Sequence, residues 1–148
     1  MCKTRKNSKA GFTLVELMVV AIIVAILAAV AIPLMTGNKK RAMATEAETA
    51  LGTLRTQLRV MYAETGSYAT NNNGLAVTTV WNLPGVNPAD LTGKYWSTNA
   101  YSFFTAPSGA TGSNYILQAD GSAAGCDASL SGINIKLDAN GTFTRSGL

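Results

Sequence analysis

Apolar and polar positions along this chain follow three regimes. From residue 17 to residue 35, "LMVVAIIVAILAAVAIPLM", nineteen consecutive positions carry no charge. Wound as a helix at about 1.5 Å per residue, the run is roughly 28 Å long, close to the hydrocarbon core of a bilayer at about 30 Å. Its β-branched residues do not make it a strand, because in lipid every backbone group needs a partner within the segment, and only a helix provides that alone. Pro33 removes one backbone donor near the end of the run, and a bend is expected there.

The second regime begins at Met43. Apolar residues Met43, Ala47, Ala50, Leu51, Leu54, Leu58, Met61 and Tyr62 recur at steps of three and four, which predicts a helix with one buried face. Glu46, Glu48, Arg55, Gln57, Arg59 and Glu64 fall mainly between them, on the expected wet side. Gly66 in "ETGSY" is a suitable left-handed stop. Gly37 and Asn38 are a place where the helix could divide in two. If it does not, it runs from about Thr13 to about Glu64, some 52 residues or roughly 78 Å. A compact body of this size has a radius of gyration of about 14 Å and a diameter of roughly 37 Å. About half of such a helix must then lie outside its own globule, and that half is apolar all round.

The third regime is rich in Gly, Ser, Thr and Asn and leans toward strands. Residues 66 to 94 read as a long connection with turn chemistry at "NNNG", "LPG", "VNPAD" and "LTGK". Strands are expected at about 95–104, 114–119, 132–137 and 141–145. Ile133, Ile135 and Leu137 alternate with Asn134 and Lys136, so one face of that strand points inward. "DANG" at 138–141 reads as a hairpin turn. The aromatics Tyr95, Trp96, Tyr101, Phe103 and Phe104 are expected to pack sheet on helix. The fold class is therefore α+β: a long N-terminal helix, apolar then amphipathic, packed on a small C-terminal antiparallel sheet.

Charge changes this picture less than its total suggests. The formal net charge is +4, but four of the twelve Lys and Arg, namely Lys3, Arg5, Lys6 and Lys9, precede Gly11; without them eight basic side chains face eight acidic ones. The excess belongs to a leader, and nucleic acid is not an expected partner. "KKR" at 39–41 follows the apolar run as an interfacial flank. The chain has no histidine, so a His-assisted nucleophile and a Cys/His zinc site are both excluded. Its two cysteines are Cys2, in the leader, and Cys126. No catalytic residue, cofactor or metal is expected, and the reading is not an enzyme. Asp138 and Asn140 alternate as calcium ligands do, with Asp120 and Asp127 as further candidates, but the spacing of a calcium loop is missing and a plain turn is preferred.

One carboxylate, Glu16, sits at the head of the apolar run. A basic leader ending in Gly11, then Phe12, "TLVEL" and a long apolar stretch resembles the type IV prepilin family, which includes type IV pilins and the pseudopilins of type II secretion. The resemblance is specific over residues 9 to 35 and continues more loosely to about Tyr68. It implies a leader of residues 1–11, a transmembrane and filament-core helix over 12–35, and a globular domain over 36–148 whose amphipathic helix ends near 65. It further implies that a prepilin peptidase cuts after Gly11 and methylates the new amine of Phe12, with Glu16 accepting the Phe12 amine of a neighbouring subunit. Pro33 is counted with Phe12 and Glu16 among the assembly residues. The implied partners are copies of the chain itself, the peptidase/N-methyltransferase, the pilus or secretion assembly machinery, and the inner membrane before assembly. The filament would then lie at the cell surface or in the periplasm. Three other readings stand beside this one. Glu16 could be a tolerated interfacial charge, "AVA" at 29–31 could be a signal-peptide site releasing a soluble domain from Ile32, or the run could be an uncleaved anchor.

Overall fold

The computed structural model describes residues 11–109 and 111–148; the expected leader, except for Gly11, lies outside the described residues. The first helix, α1, spans Leu14–Thr65 without interruption at Pro33 or at Gly37–Asn38. It is followed by a 3-10 turn at Val80–Asn82, the one-turn helix α2 at Pro88–Leu91, and a 3-10 turn at Thr98–Ala100. The strands are β1 (Tyr101–Thr105), β2 (Ile116–Asp120), β3 (Asn134–Asp138) and β4 (Phe143–Ser146), with a further 3-10 turn at Ala128–Leu130 between β2 and β3. They form one antiparallel sheet in the order β1-β2-β3-β4. By contacts the chain falls into two units, one ending at Thr36 and one covering Gly37–Leu148.

In the first unit the helical side chains from Leu14 to Met35 are exposed almost throughout; Leu14, for example, is 88% exposed and Leu34 65%. Among the described residues this is the one helix long and apolar enough to cross a membrane. Pro33 has no N–H to offer the carbonyl of Ala29, and one turn later the Thr36 hydroxyl donates to the Ile32 carbonyl at 2.9 Å.

The second unit holds the core. Met43, Ala44, Ala47, Leu51, Leu54, Leu58 and Met61 form the buried stripe of α1, close to the stripe expected from the periodicity. The sheet turns one face to it. Register places Tyr101, Phe103, Leu117, Ala119, Ile135, Leu137 and Phe143 on that face, and all are buried or packed against the core. Each large side chain fully removed from water contributes about 1.5–3 kcal/mol, and this burial is what orders the body. The helix ends where expected: Gly66 adopts φ 71°, and its amide donates to the Tyr62 carbonyl at 2.8 Å. Tyr62 departs from the stripe. It is 38% exposed and stacks on Tyr68 at 4.4 Å between ring centroids.

The first strand is shorter than the sequence pattern suggests. Residues 95–100 are not strand, because the Glu46 carboxylate accepts the Tyr95 and Trp96 amides at 3.1 and 3.0 Å, and the Trp96 indole N–H donates to the Met43 carbonyl at 2.8 Å. Groups that a ladder needs are thereby committed to the helix. Glu46 is thus not a wet-face residue, and neither are two others. The Arg55 guanidinium donates to the Ala139 carbonyl at 3.1 Å, and Glu48 pairs with Arg145 at 2.5 Å. Phe104 departs the other way. Strand alternation puts it with Ser102 on the outer face of β1, and it is exposed beneath the Lys136 ammonium, 3.3 Å from the ring centroid.

The Tyr101 hydroxyl is buried without a partner among the described residues. Desolvation, and secondarily the charge of Glu46, push its pKa up; desolvation also raises that of Tyr115. A tyrosine kept neutral by burial holds its proton more tightly folded than unfolded. Its contribution is complete below the ordinary value of about 10 and is lost as pH climbs through the higher folded value. Stability of the body is therefore expected to fall above about pH 10. Tyr101→Phe should lessen that fall and, at pH 8, equal the parent or exceed it by up to about 1–3 kcal/mol through removal of the unpaired hydroxyl. Denaturant titrations followed by Trp96 fluorescence between pH 8 and 11 check both.

Candidate processing and assembly site

The residues singled out at the N-terminal end, Gly11, Phe12 and Glu16, lie within six consecutive positions of the chain. Gly11, Phe12 and Thr13 precede the helix in non-helical backbone, and Gly11 and Phe12 are exposed, the latter by 83%. The Gly11–Phe12 peptide bond is therefore outside the helical hydrogen-bond ladder, where a peptidase can take it in extended form. A Cβ built on Gly11 would meet nothing within 4 Å. Nothing in the packing of the described residues demands glycine there.

Thr13 is the feature the sequence reading missed. Its hydroxyl accepts the Glu16 amide at 3.2 Å, while its own amide and hydroxyl both donate to Glu16 Oε2 at 2.9 Å. This is a capping box, in which residues three apart satisfy each other's groups at a helix start. The signal was present, since "TLVE" is the T-x-x-E pattern set immediately before an apolar run. Glu16 is consequently not a bare carboxylate at the mouth of the apolar helix. One oxygen closes the cap, its negative charge lies where the helix dipole favours it, and Oε1 has no donor among the described residues. Pro33 lies seventeen residues along α1 and shares no contact with this cluster by sequence distance alone, about 25 Å of helix.

The aspartates considered as calcium ligands are occupied by turns. Asp138 Oδ1 accepts the Gly141 and Thr142 amides, both at 2.8 Å, which closes the β3–β4 hairpin. Asp120 Oδ1 accepts the Ser122 amide at 2.9 Å and Asp127 Oδ1 the Ser129 amide at 2.8 Å. The Ser129 hydroxyl and amide hold the Asp127 carboxyl below its usual range. Among the described residues no three His, Cys, Asp or Glu side chains converge as a metal site. Cys126 is a partly buried free thiol 3.5 Å from the Ser97 hydroxyl.

Comparison with known proteins agrees with this geometry at the N-terminal end. The model of the prokaryotic N-terminal methylation motif matches residues 6–32. The chain is 39% identical over 75 residues to the type II secretion system core protein G of Vibrio cholerae, an alignment covering 51% of this chain and 50% of that protein. It is 35% identical over 71 residues to the protein of the same name from Aeromonas hydrophila (48% and 50%) and 35% over 69 residues to that of Escherichia coli K12 (47% and 48%). The chain thus spans about half the length of the curated relatives it matches. No solved structure matches it significantly. A capped apolar helix behind an exposed Gly-Phe bond, continuing into an amphipathic half packed on an antiparallel meander, defines a pilin-like chain. Its N-terminal end is similar to that of the type IV prepilin family, through the methylation motif and the first half of the secretion relatives.

Removing the cap has a measurable consequence. Thr13→Ala is expected to loosen the first turn by about 0.5–2 kcal/mol, equivalent to roughly 2- to 30-fold faster amide exchange over residues 14–17. Exchange in the second unit should be unchanged. Hydrogen exchange on the full chain in detergent micelles checks the prediction.

Proposed function

We propose that this chain is the structural subunit of a pilus-like filament, of the kind formed by the pseudopilins of type II secretion, and that it does not act as an enzyme. The observation that carries the reading is the uncovered apolar half of α1 headed by Glu16: a surface of that kind is stable only in lipid or among like helices. The relatives named as type II secretion system core protein G favour a secretion filament over an adhesive pilus. In the precursor, residues 12–35 would rest in the inner membrane with 36–148 on the far side. Prepilin peptidase would cut the exposed Gly11–Phe12 bond and methylate the Phe12 amine. The mature chain would enter a helical homopolymer in the periplasm, driven by the assembly machinery.

The capping box gives the assembly step a specific form. Glu16 Oε2 stays with Thr13, and Oε1 accepts the charged Phe12 amine of the neighbouring subunit, so docking need not dismantle the helix start. A charged residue at the centre of a membrane helix costs about 2.5–3.5 kcal/mol, and less near the interface. Pairing it with an amine in the low-dielectric filament core removes that penalty and penalises every docking depth that leaves either charge alone. Pro33 would adjust the packing of the helix within the core. The alternative of signal-peptide release after Ala31 is disfavoured, since that bond lies inside continuous helix whereas Gly11–Phe12 does not.

Two substitutions test the proposal. Gly11→Val should leave the precursor uncut, about 1.2 kDa heavier than the mature chain, with no methylated Phe12 by mass spectrometry; normal maturation would remove the peptidase from the scheme. Glu16→Gln retains an acceptor for Thr13 but no charge. It should insert and be processed normally yet yield roughly tenfold fewer filaments or none, the loss expected for about 1.4 kcal/mol per added subunit. Normal filament yield counted by electron microscopy would exclude the ion pair.

A further inference from the structure

A cleft of about 310 Å³ lies on the body, away from β1–β4 in sequence, between the loop at residues 71–75 and the 3-10 turn at Val80–Asn82. That is the lower end of the size range of small-molecule sites, about 300–1,000 Å³. Its lining includes Trp81, Leu75 and the four asparagines Asn71, Asn72, Asn73 and Asn82, and no charged side chain.

The cleft is held open by its own bonds. Asn71 is the strut: its Oδ1 accepts the Asn73 and Leu75 amides at 3.1 and 3.0 Å, and its Nδ2 donates to the Asn82 carbonyl at 3.3 Å. The Asn71 amide donates to the Leu75 carbonyl at 2.9 Å, and Asn82 Nδ2 returns to the Ala76 carbonyl at 3.3 Å. Gly74 at φ 75° lets the loop close. On the opposite wall, Val80 and Leu83 are buried, which anchors the turn and leaves Trp81 between them 37% exposed. The other tryptophan, Trp96, is 1% exposed. Three amide groups remain available toward solvent: Asn73 has no side-chain bond, Asn82 Oδ1 is unused, and Asn72 donates only to the Glu64 carboxylate, leaving its own oxygen.

An indole face flanked by amides that both donate and accept, with no charge to satisfy, matches one ligand chemistry. A sugar ring has apolar C–H faces that stack on an indole, and hydroxyl or acetamido groups that bond in both directions. We propose that the Trp81–Asn73 cleft binds a neutral glycan, taking one ring of the chain on Trp81 and leaving its neighbours in solvent. A body displayed along a periplasmic filament would meet wall glycan there, and one displayed outside the cell would meet secreted polysaccharide; the cleft chemistry is common to both. The site does not depend on polymerisation.

The test uses the full mature chain in a zwitterionic detergent free of sugar headgroups. Tryptophan emission is followed during titration with chitotetraose and with cellotetraose, and co-sedimentation is measured with purified peptidoglycan sacculi. The expected result is a saturable emission change from Trp81 in the parent with at least one saccharide, and an affinity, measured for parent and variants alike by isothermal titration calorimetry, weakened roughly tenfold in Trp81→Ala and less in Asn73→Ala and Trp81→Phe. Emission from buried Trp96 verifies that each variant is folded. Binding of chitotetraose and sacculi alone would assign N-acetylated wall glycan, and binding of cellotetraose would assign a broader polysaccharide. Failure of all three to bind the parent chain, or affinities of folded Trp81→Ala and Asn73→Ala within twofold of the parent, would overturn the proposal.

Discussion

A long apolar helical surface, exposed from Leu14 to Met35, is the constraint behind everything else in this protein. From Leu14 to Met35 nearly every side chain is exposed. Hydrophobic free energy scales with area, so a surface of this extent cannot persist in water. In the proposed scheme it has two stable environments, lipid and a packed bundle of identical helices. A chain that moves from the first to the second needs a means of choosing depth, because a smooth apolar cylinder is nearly indifferent to sliding. A single carboxylate at the helix start supplies that choice in the proposed scheme, and the capping box explains how it is held ready without being consumed.

The body solves a different problem, that of fixing a small sheet on one stripe of a helix. Seven side chains of α1 provide the stripe, but burial is non-directional and would permit the sheet to slide. Polar side chains at the border of the stripe set the alignment. Glu46 holds the Tyr95 and Trp96 amides, Arg55 holds the Ala139 carbonyl, and Glu48 meets Arg145. Arg145 lies on the inner face of edge strand β4, opposite Ile135, where an unpaired guanidinium would oppose packing. Its partner on α1 turns that position into a tie between the last strand and the helix.

Much of this was legible in residue order, for physical reasons that can be named. Helical periodicity identified six of the seven buried α1 positions, because a stripe of this kind repeats every three or four residues; Ala44 was missed, and Ala50 and Tyr62 are less buried than expected. Gly66 marked the helix end because a left-handed residue there carries no steric cost only in glycine. The two-residue alternation at Ile133, Ile135 and Leu137 marked an inward strand face. Thr13 is legible as the head of a T-x-x-E pattern, beside the more conspicuous Glu16. Residues 95–100 were misassigned to strand because their aromatic, β-leaning composition is local, whereas the carboxylate that claims their amides lies about fifty positions away.

Order of residues alone determined the long helix, its division into apolar and amphipathic halves, and the sheet that follows. These depend on short-range periodicity and on the mismatch between a helix and a globule of known size, both of which can be computed from a list. Tertiary structure decided which polar side chains of the helix would be clasps and which would meet water, that Phe104 would lie under a lysine, and that Trp81 would stand beside four asparagines. Such outcomes hinge on which distant groups arrive at the same place. Hydrogen bonds and ring contacts act only over a few ångströms, so nothing in the neighbourhood of a residue along the chain announces a partner brought to it by folding.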